Sequence, residues 1–267
     1  KGMVKLFDKS LIEMQIDIFK KCGIDDISIV TGYLAEKINF PSINYFKNEN
    51  FSTTSGNESL YCAKQKLNDT IICYADLVFD ISIIKKMIDF NGDVGIAVES
   101  NWKTHYVGRT FHPLSEADNV LFDESGKIIE IRKNIQKPNA NIGEFLGIMK
   151  LSSKGSSLFL KRFSELKESH VGAFHGSPSL KQSILPDMIQ ELIDLGINVE
   201  PVLISENWYE VDTPQDLDFA RKIFKNLKGK IDVEGLVTRR YHLDDINKGF
   251  DGFINGEDGR GIIPFEA

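Results

Sequence analysis

Short β-branched runs alternating with amphipathic stretches constrain this chain most, because a sheet flanked by helices is what buries both patterns at once. Ser10-Leu-Ile-Glu13 fits a capping box, Ile12, Ile16 and Phe19 recur on one helical face, and Gly23 supplies a stop. A strand over residues 26–30 follows at once, and Thr31-Gly-Tyr33 opens a loop. The alternation then recurs, with residues 59–67 reading as helix, 70–75 as strand, 81–90 as helix and 93–99 as strand.

From about residue 100 the rhythm changes. Val120-Leu-Phe-Asp123, Glu124-Ser-Gly-Lys127 and Ile128-Ile-Glu-Ile131 predict an antiparallel hairpin around a glycine turn. Residues 144–151 resume an apolar strand, 155–168 a helix, and 180–195 a second helix whose first turn Pro186 disturbs. A strand over 198–204 and a helix over 214–227, with Pro214, Asp216 and Asp218 in its first turn, complete the pattern. The expectation is one α/β domain over residues 1–227: a mixed, mostly parallel sheet flanked by helices, with an antiparallel insertion. Residues 228–267 read as strand (237–243), helix (244–254) and strand (261–265), a small C-terminal α/β appendage. A stretch of about forty residues builds no sizeable core alone, so it must dock, pair with another chain or stay poorly ordered.

Composition narrows the function classes. A chain of 267 residues, 42% apolar, can bury a large core. Its net charge of −7 argues against a polyanion-binding surface, so nucleic acid is not an expected partner. No apolar run approaches the roughly 18 residues that span a bilayer, no membrane insertion is expected, and the cytoplasm is the expected compartment. Cys22, Cys62 and Cys73 show no paired spacing and read as buried thiols rather than zinc ligands or a disulfide framework. The five histidines, at 105, 112, 170, 175 and 242, show no metal-ligand spacing and read as surface or hydrogen-bonded groups.

Two aspartates stand out. Asp76 directly follows the apolar run Ile71-Ile-Cys-Tyr74, and Asp212 lies inside Trp208-Tyr-Glu-Val-Asp-Thr-Pro-Gln-Asp-Leu217. The mouth of an α/β sheet is where ligands bind, and two carboxylates there can share a divalent ion and with it a triphosphate. Each has a plainer reading: Asp76 as a helix cap or loop residue, and either Asp212 or Thr213 as the cap of the last helix. The segment Asn48–Tyr61 is dense in amides and hydroxyls that can read a nucleobase edge, and Gly56 permits close backbone approach; an ordinary polar loop has the same composition. In Tyr106–Ala117, Arg109, His112 and Glu116 lie on a loop where Glu116 with Trp102 or Tyr106 offers charge and an aromatic face to a cationic ligand. A solvated connector is the alternative.

Taken in order, Lys1-Gly-Met-Val-Lys-Leu6, Val30-Thr-Gly-Tyr33, Ser55-Gly-Asn-Glu-Ser-Leu-Tyr61, Tyr74-Ala-Asp-Leu77, Gly143-Glu-Phe-Leu-Gly147 and the 208–217 motif resemble the sugar-phosphate nucleotidyltransferase superfamily. The nearest likeness is to the phosphocholine and 2-aminoethylphosphonate cytidylyltransferases, over roughly residues 1–227. The resemblance implies a Rossmann-like nucleotidyltransferase fold in which Asp76 and Asp212 hold Mg2+, and it makes Lys1, Asp76, Asp212 and Lys133 the catalytic group. It implies nucleotide contacts from Gly32, Ser55, Gly56, Asn57 and Ser59, and acceptor contacts from Tyr106, Arg109, Glu116, Glu144, Trp208 and Glu210. The implied partners are CTP and a small phosphorylated or phosphonate alcohol or amine; a homo-oligomer is compatible with the sequence. The rival readings are a sugar 1-phosphate nucleotidyltransferase and a noncatalytic nucleotide-binding or regulatory subunit. Nucleotide-sugar glycosyltransferases use Asp-x-Asp, whereas Asp76-Leu-Val-Phe-Asp80 has another spacing. The family opens with a strand and a glycine-rich phosphate loop, and this chain begins just after the corresponding point, so it is expected to be either a fragment of a longer protein or catalytically impaired. Residues 235–263 separately resemble the C-terminal end of zinc-dependent medium-chain alcohol dehydrogenases without that family's zinc cysteines or dinucleotide fingerprint, which implies a fused remnant or docking element.

Overall fold

The computed structural model describes residues 1–225 together with 239–240, 245, 248, 251 and 261–262. The chain divides into two compact units, Lys1–Lys222 and Ile223–Ala267. In the first, β1 (Lys5–Leu6) and β2 (Lys9–Ser10) form a small antiparallel ribbon leading into α1 (Leu11–Lys21). The expected capping box is present: the Ser10 hydroxyl accepts the Glu13 N–H, and the Glu13 carboxylate accepts the Ser10 N–H. Gly23, at φ +79°, carries the chain out of the helix. β3 (Ser28–Thr31) and β4 (Asn44–Lys47) pair in parallel as a separate two-stranded sheet. α2 (Gly56–Cys62) begins ahead of the expected Ser59, because the N–H groups of Ser55 and Asn57 are fixed by the carbonyls of Lys181 and Ser183.

β5 (Thr70–Cys73), α3 (Ile81–Asp89) and β7 (Val94–Glu99) follow close to expectation, and between β5 and α3 lies a short strand that the sequence did not predict, β6 (Leu77–Phe79). β8 (Asp118–Phe122) and β9 (Ile128–Lys133) are the predicted hairpin, its turn tied by the Asp123 carboxylate accepting the N–H groups of Ser125 and Lys127. Then come β10 (Ile142–Leu151) and α4 (Ser153–Ser169). The single helix expected over 180–195 is broken: a 3-10 turn at Leu180–Gln182 precedes α5 (Leu185–Asp194), whose first turn holds Pro186 and is capped by the Asp187 carboxylate accepting the Ile184 N–H. β11 (Glu200–Ile204), β12 (Trp208–Glu210) and α6 (Pro214–Ile223) close the succession.

The main sheet has six strands, in the order β11-β7-β10-β8-β9 with β5 also paired to β10. β11 is parallel to β7, while β10 is antiparallel to β5, β7 and β8. Thus β5, β7, β8 and β11 run one way and β9 and β10 the other, which is the mixed α/β sheet expected. Alternation along β7 divides the core: Val94, Ile96 and Val98 join Phe159 and Phe163 of α4 and Met188, Ile189 and Leu192 of α5, whereas Ala97 joins Ile83, Ile84 and Met87 of α3. β10 changes register between Phe145 and Met149, at Gly147 with φ +78°. A Cβ on Gly147 would lie 2.4 Å from the Tyr74 ring, so glycine permits both the bend and the ring's approach. The bend lets one half of β10 pair with β5 and the other with β8.

In the second unit, β13 (Arg239–Arg240) and β14 (Gly261–Ile262) pair in parallel within the two expected strands. The helix expected over 244–254 and residues 226–227 of the one expected over 214–227 lie largely outside the described residues. Among the described residues no helix is long and apolar enough to cross a membrane.

Gly155 is the tightest backbone contact beneath the sheet: a Cβ there would lie 1.9 Å from the Asp93 carbonyl oxygen. Gly155→Ala is expected to destabilise the domain by about 1–3 kcal/mol, read as a lowered urea midpoint, whereas Gly196→Ala, which meets no neighbouring atom but keeps φ +76°, should cost about 1 kcal/mol.

Candidate active site

A short ladder joins the two aspartates. β12 runs antiparallel to β6 with Glu210 opposite Leu77, and the next N–H, of Val211, donates to the Asp76 carbonyl at 2.9 Å. Asp76 and Asp212 therefore leave neighbouring strands at the same end. The Lys1 ammonium lies 2.6 Å from Asp212 Oδ1 and 3.7 Å from Asp76 Oδ2, so one cation reaches both carboxylates. Asp76 Oδ1 is buried with no hydrogen-bond partner. Burial raises the Asp76 pKa and Asp212 adds to the effect, with Lys1 opposing it. Lys1 pays some desolvation, but its hydrogen bond to Asp212 holds its pKa above the usual lysine value.

The cap of α6 is Thr213 rather than Asp212. Thr213 Oγ1 accepts the Asp216 N–H, while Asp216 Oδ2 accepts the Thr213 N–H at 2.8 Å, the Thr213 hydroxyl at 2.9 Å and the Asp212 N–H at 3.2 Å. The Asp212 carboxylate is left to face the cleft. Arg109 secures this turn: its Nε donates to Asp216 Oδ1 at 2.8 Å, and its guanidinium carbon lies 5.0 and 4.9 Å from the centroids of the Tyr106 and Tyr209 rings. This corrects the expected acceptor contact from Arg109, because its buried guanidinium is committed to Asp216.

The cleft has a volume of about 660 Å3. On the expected nucleotide side Ser55, Gly56 and Ser59 line it, but Gly32 and Asn57 do not. Gly32 is pressed against Phe51, where a Cβ would sit 2.6 Å from Phe51 Cβ. Asn57 is fully buried, and its Nδ2 donates to Ser183 Oγ at 2.9 Å and the Ile184 carbonyl at 2.6 Å. It braces the wall of the cleft, and its Oδ1 is buried without a hydrogen-bond partner.

On the acceptor side Glu116, Glu144, Trp208 and Glu210 line the cleft, as does Lys133. Lys133 pairs with Glu116 at 2.7 Å, which holds the Glu116 carboxyl below its usual range. Tyr106 is buried, packs edge-on against Trp102 with centroids 5.8 Å apart, and donates its hydroxyl to Glu144 Oε1. Neither Trp102 nor Tyr106 offers a ring face to a ligand, contrary to expectation; Tyr74 and Trp208 line the cleft instead. Trp208 is fixed by its Nε1–H donating to Glu99 Oε2 at 2.5 Å and by His105 stacked on it at 5.0 Å.

The floor is strongly acidic. Burial pushes Glu144 up to about 8 and Asp118 up to about 7, and Glu144 Oε2 and Asp118 Oδ1 are buried without hydrogen-bond partners. Burial, then the charges of Asp212 and Asp76, push Glu210 up to about 8. Among the lining residues to which the sequence reading gave no site role are Tyr74, Asp118 at the start of β8, and His112. His112 is buried beside Glu210, Asp212 and Asp216 rather than at the surface, and only folding reveals this, since about a hundred residues separate it from these carboxylates. At Asp76 and Asp212 the donors are all oxygen, one oxygen is orphaned, and an ammonium already bridges the pair; the residues fit a hard divalent ion such as Mg2+.

No family model matches the chain. The CTP:phosphoglutamine cytidylyltransferase of Campylobacter jejuni subsp. jejuni is 26% identical over 230 residues, covering 82% of this chain and 89% of that protein. The choline-phosphate cytidylyltransferase of Streptococcus pneumoniae is 34% identical over 80 residues (28% of this chain, 35% of that protein). The 2-aminoethylphosphonate cytidylyltransferase of Lancefieldella rimae is 27% identical over 150 residues (54% and 56%). Among solved structures, the CTP:phosphocholine cytidylyltransferase of Streptococcus pneumoniae superposes with a TM-score of 0.61 at 19% identity, covering 84% of this chain and 89% of that one. A putative glucose-1-phosphate thymidylyltransferase from Bacillus anthracis gives 0.62 at 18% identity (83% and 85%). The dehydrogenase-like reading of residues 235–263 finds no support among these relatives. The first unit has the nucleotidyltransferase fold, and these relatives of the chain in sequence are cytidylyltransferases.

Proposed function

We propose that this chain is a Mg2+-dependent cytidylyltransferase domain that transfers CMP from CTP to a small phosphorylated or phosphonate acceptor and releases pyrophosphate. The observation that carries this reading is the β6–β12 ladder, which sets Asp76 and Asp212 within reach of one cation at the mouth of a cleft. An acceptor phosphate or phosphonate oxygen attacks the α-phosphorus of CTP in line, the new O–P bond forms, and the bond to the β-phosphate oxygen breaks. The nucleophile is ionised at neutral pH, so no side-chain base is required, and the chain's task is to bring two anions together and offset their charge. Asp76 and Asp212 would hold Mg2+, which when bound supplies charge neutralisation at the phosphates. Lys1 and Lys133 add positive charge on either side, and Ser55, Gly56 and Ser59 present polar groups toward the nucleotide.

The acidic floor favours an acceptor that carries an ammonium group, of the phosphocholine or 2-aminoethylphosphonate kind. Glu144 is buried and Asp118 and Glu210 half-buried, carboxyl groups whose ionisation a cation would favour, and the Tyr74 and Trp208 rings line the same cleft. A neutral sugar would supply no counter-charge for their ionisation.

The full-length protein with CTP and Mg2+ is expected to release pyrophosphate when given phosphocholine or 2-aminoethylphosphonate. Asp76→Asn and Asp212→Asn should each lower kcat by about 100-fold or more with the circular dichroism unchanged; full turnover in either variant, or turnover only with UTP and a sugar 1-phosphate, would overturn the reading.

The acidic floor also sets a pH dependence. A glutamate in the unfolded chain titrates near 4.5, whereas folded Glu144 keeps its proton up to about 8. Between those values the folded state binds the extra proton, so stability falls as pH rises through this window. The urea midpoint of the ligand-free protein should therefore drop from pH 5.5 to pH 8.5, and Glu144→Gln, which cannot titrate, should show a smaller drop.

A further inference from the structure

We propose that the cleft contains a second divalent-cation site, held by His112, Glu210 and Asp212, that takes an ion accepting nitrogen, of the Mn2+, Co2+ or Zn2+ kind. Only the use made of this ion rests on the function proposed above; its binding does not.

His112 is 6% exposed, yet neither ring nitrogen has a partner within hydrogen-bond distance among the described residues. A buried imidazole ordinarily spends at least one nitrogen on such a bond. Here Nε2 lies 3.8 Å from Glu210 Oε2, and Nδ1 lies 3.8 Å from Asp212 Oδ2 and 3.9 Å from Asp216 Oδ2. One ring nitrogen serves one ion, and a gap of 3.8 Å from it to a carboxylate oxygen is too long for a hydrogen bond but fits two donors each about 2.0–2.2 Å from one metal, which stand roughly 3–4.3 Å apart. One ligand atom from each of His112, Glu210 and Asp212 can be chosen so that all lie within 4.8 Å of one another. With Nε2 on the ion, Nδ1 is left facing Asp216 Oδ2 at 3.9 Å, a carboxylate outside the ligand set and placed where an outer contact orients a ligating imidazole.

Asp212 supplies an independent sign. Its Oδ1 is 2.6 Å from the Lys1 ammonium on the Asp76 side, while its Oδ2 faces His112. One carboxylate thus presents its two oxygens to two separate cation positions, the bridging arrangement of two-metal phosphoryl-transfer sites. The donor sets differ: Asp76 and Asp212 offer oxygen alone, whereas the second position adds imidazole nitrogen, which selects borderline transition ions over Mg2+. On the proposed function this second ion would occupy Glu210, leaving Asp118 and Glu144 as the part of the acidic floor that faces the acceptor's ammonium group.

The test uses the full-length protein, stripped with chelator and free of nucleotide, so that ion binding is read independently of whether CTP is a substrate. Co2+ is titrated and followed by visible absorption, with Mg2+ as competitor. Two Co2+ per chain are expected, one displaced by millimolar Mg2+ and lost in Asp76→Asn, the other resistant to Mg2+ and weakened at least about tenfold in His112→Leu. Glu210→Gln should weaken the same resistant ion, which guards against a folding defect peculiar to one variant. A single Co2+ per chain, equal displacement of both ions by Mg2+, or unchanged Co2+ affinities in His112→Leu and Glu210→Gln would each overturn the proposal and leave His112 as an imidazole paired only with its carboxylate neighbours.

Discussion

The three-residue pairing of β12 with β6 is the constraint on which the site depends. It joins a strand at residues 77–79 to one at 208–210, and everything chemical at the mouth of the cleft is placed relative to it. Neither strand belongs to the main sheet. Their buried residues, Leu77, Phe79 and Trp208, instead fasten the ladder to the same apolar cluster as α3 and the face of β7 that carries Ala97. The ladder's position is thus a packing result, and the proximity of the two aspartates follows from that packing rather than from attraction between like charges.

Charge distribution in the cleft follows from the same geometry. Asp76, Asp118, Glu144, Glu210 and Asp212 crowd one cavity, and among the lining residues Lys133 is the lysine present to oppose them, with Lys1 at the entrance. Such crowding works against the stability of the ligand-free fold, since buried carboxylates ionise only at a cost. A stable protein tolerates it where a bound cation restores the balance, the pattern of a site that gives up stability for function.

The legible part of this molecule was its periodic part. α1, α3, β7, the β8–β9 hairpin and β10 carry strong apolar spacing and clear end signals, and the structure has them close to where the sequence puts them. Asp76 was also legible, because it follows an apolar run that must end at a sheet edge, and Asp212 was legible from the motif over residues 208–217. β12 was not, since three residues are too few for a periodic signal. The directions of side chains were not legible either. Arg109, Tyr106, Trp102 and Asn57 have the chemistry of ligand contacts, but each turns inward to satisfy another buried group, and nothing in local sequence says which way a polar side chain will face. His112 shows the converse error, a residue without a motif that long-range folding carries into the cleft.

The inward turn of Arg109 has a consequence beyond the local geometry. Glu144 holds Tyr106, whose ring covers the guanidinium of Arg109, which holds Asp216, which in turn fixes the backbone at Asp212. Each member of this train is there to satisfy the one before it, so altering any one strands its neighbour without solvent. Drift along the lineage can therefore explore the rim of the cleft one residue at a time, but these positions must change in concert or stay as they are.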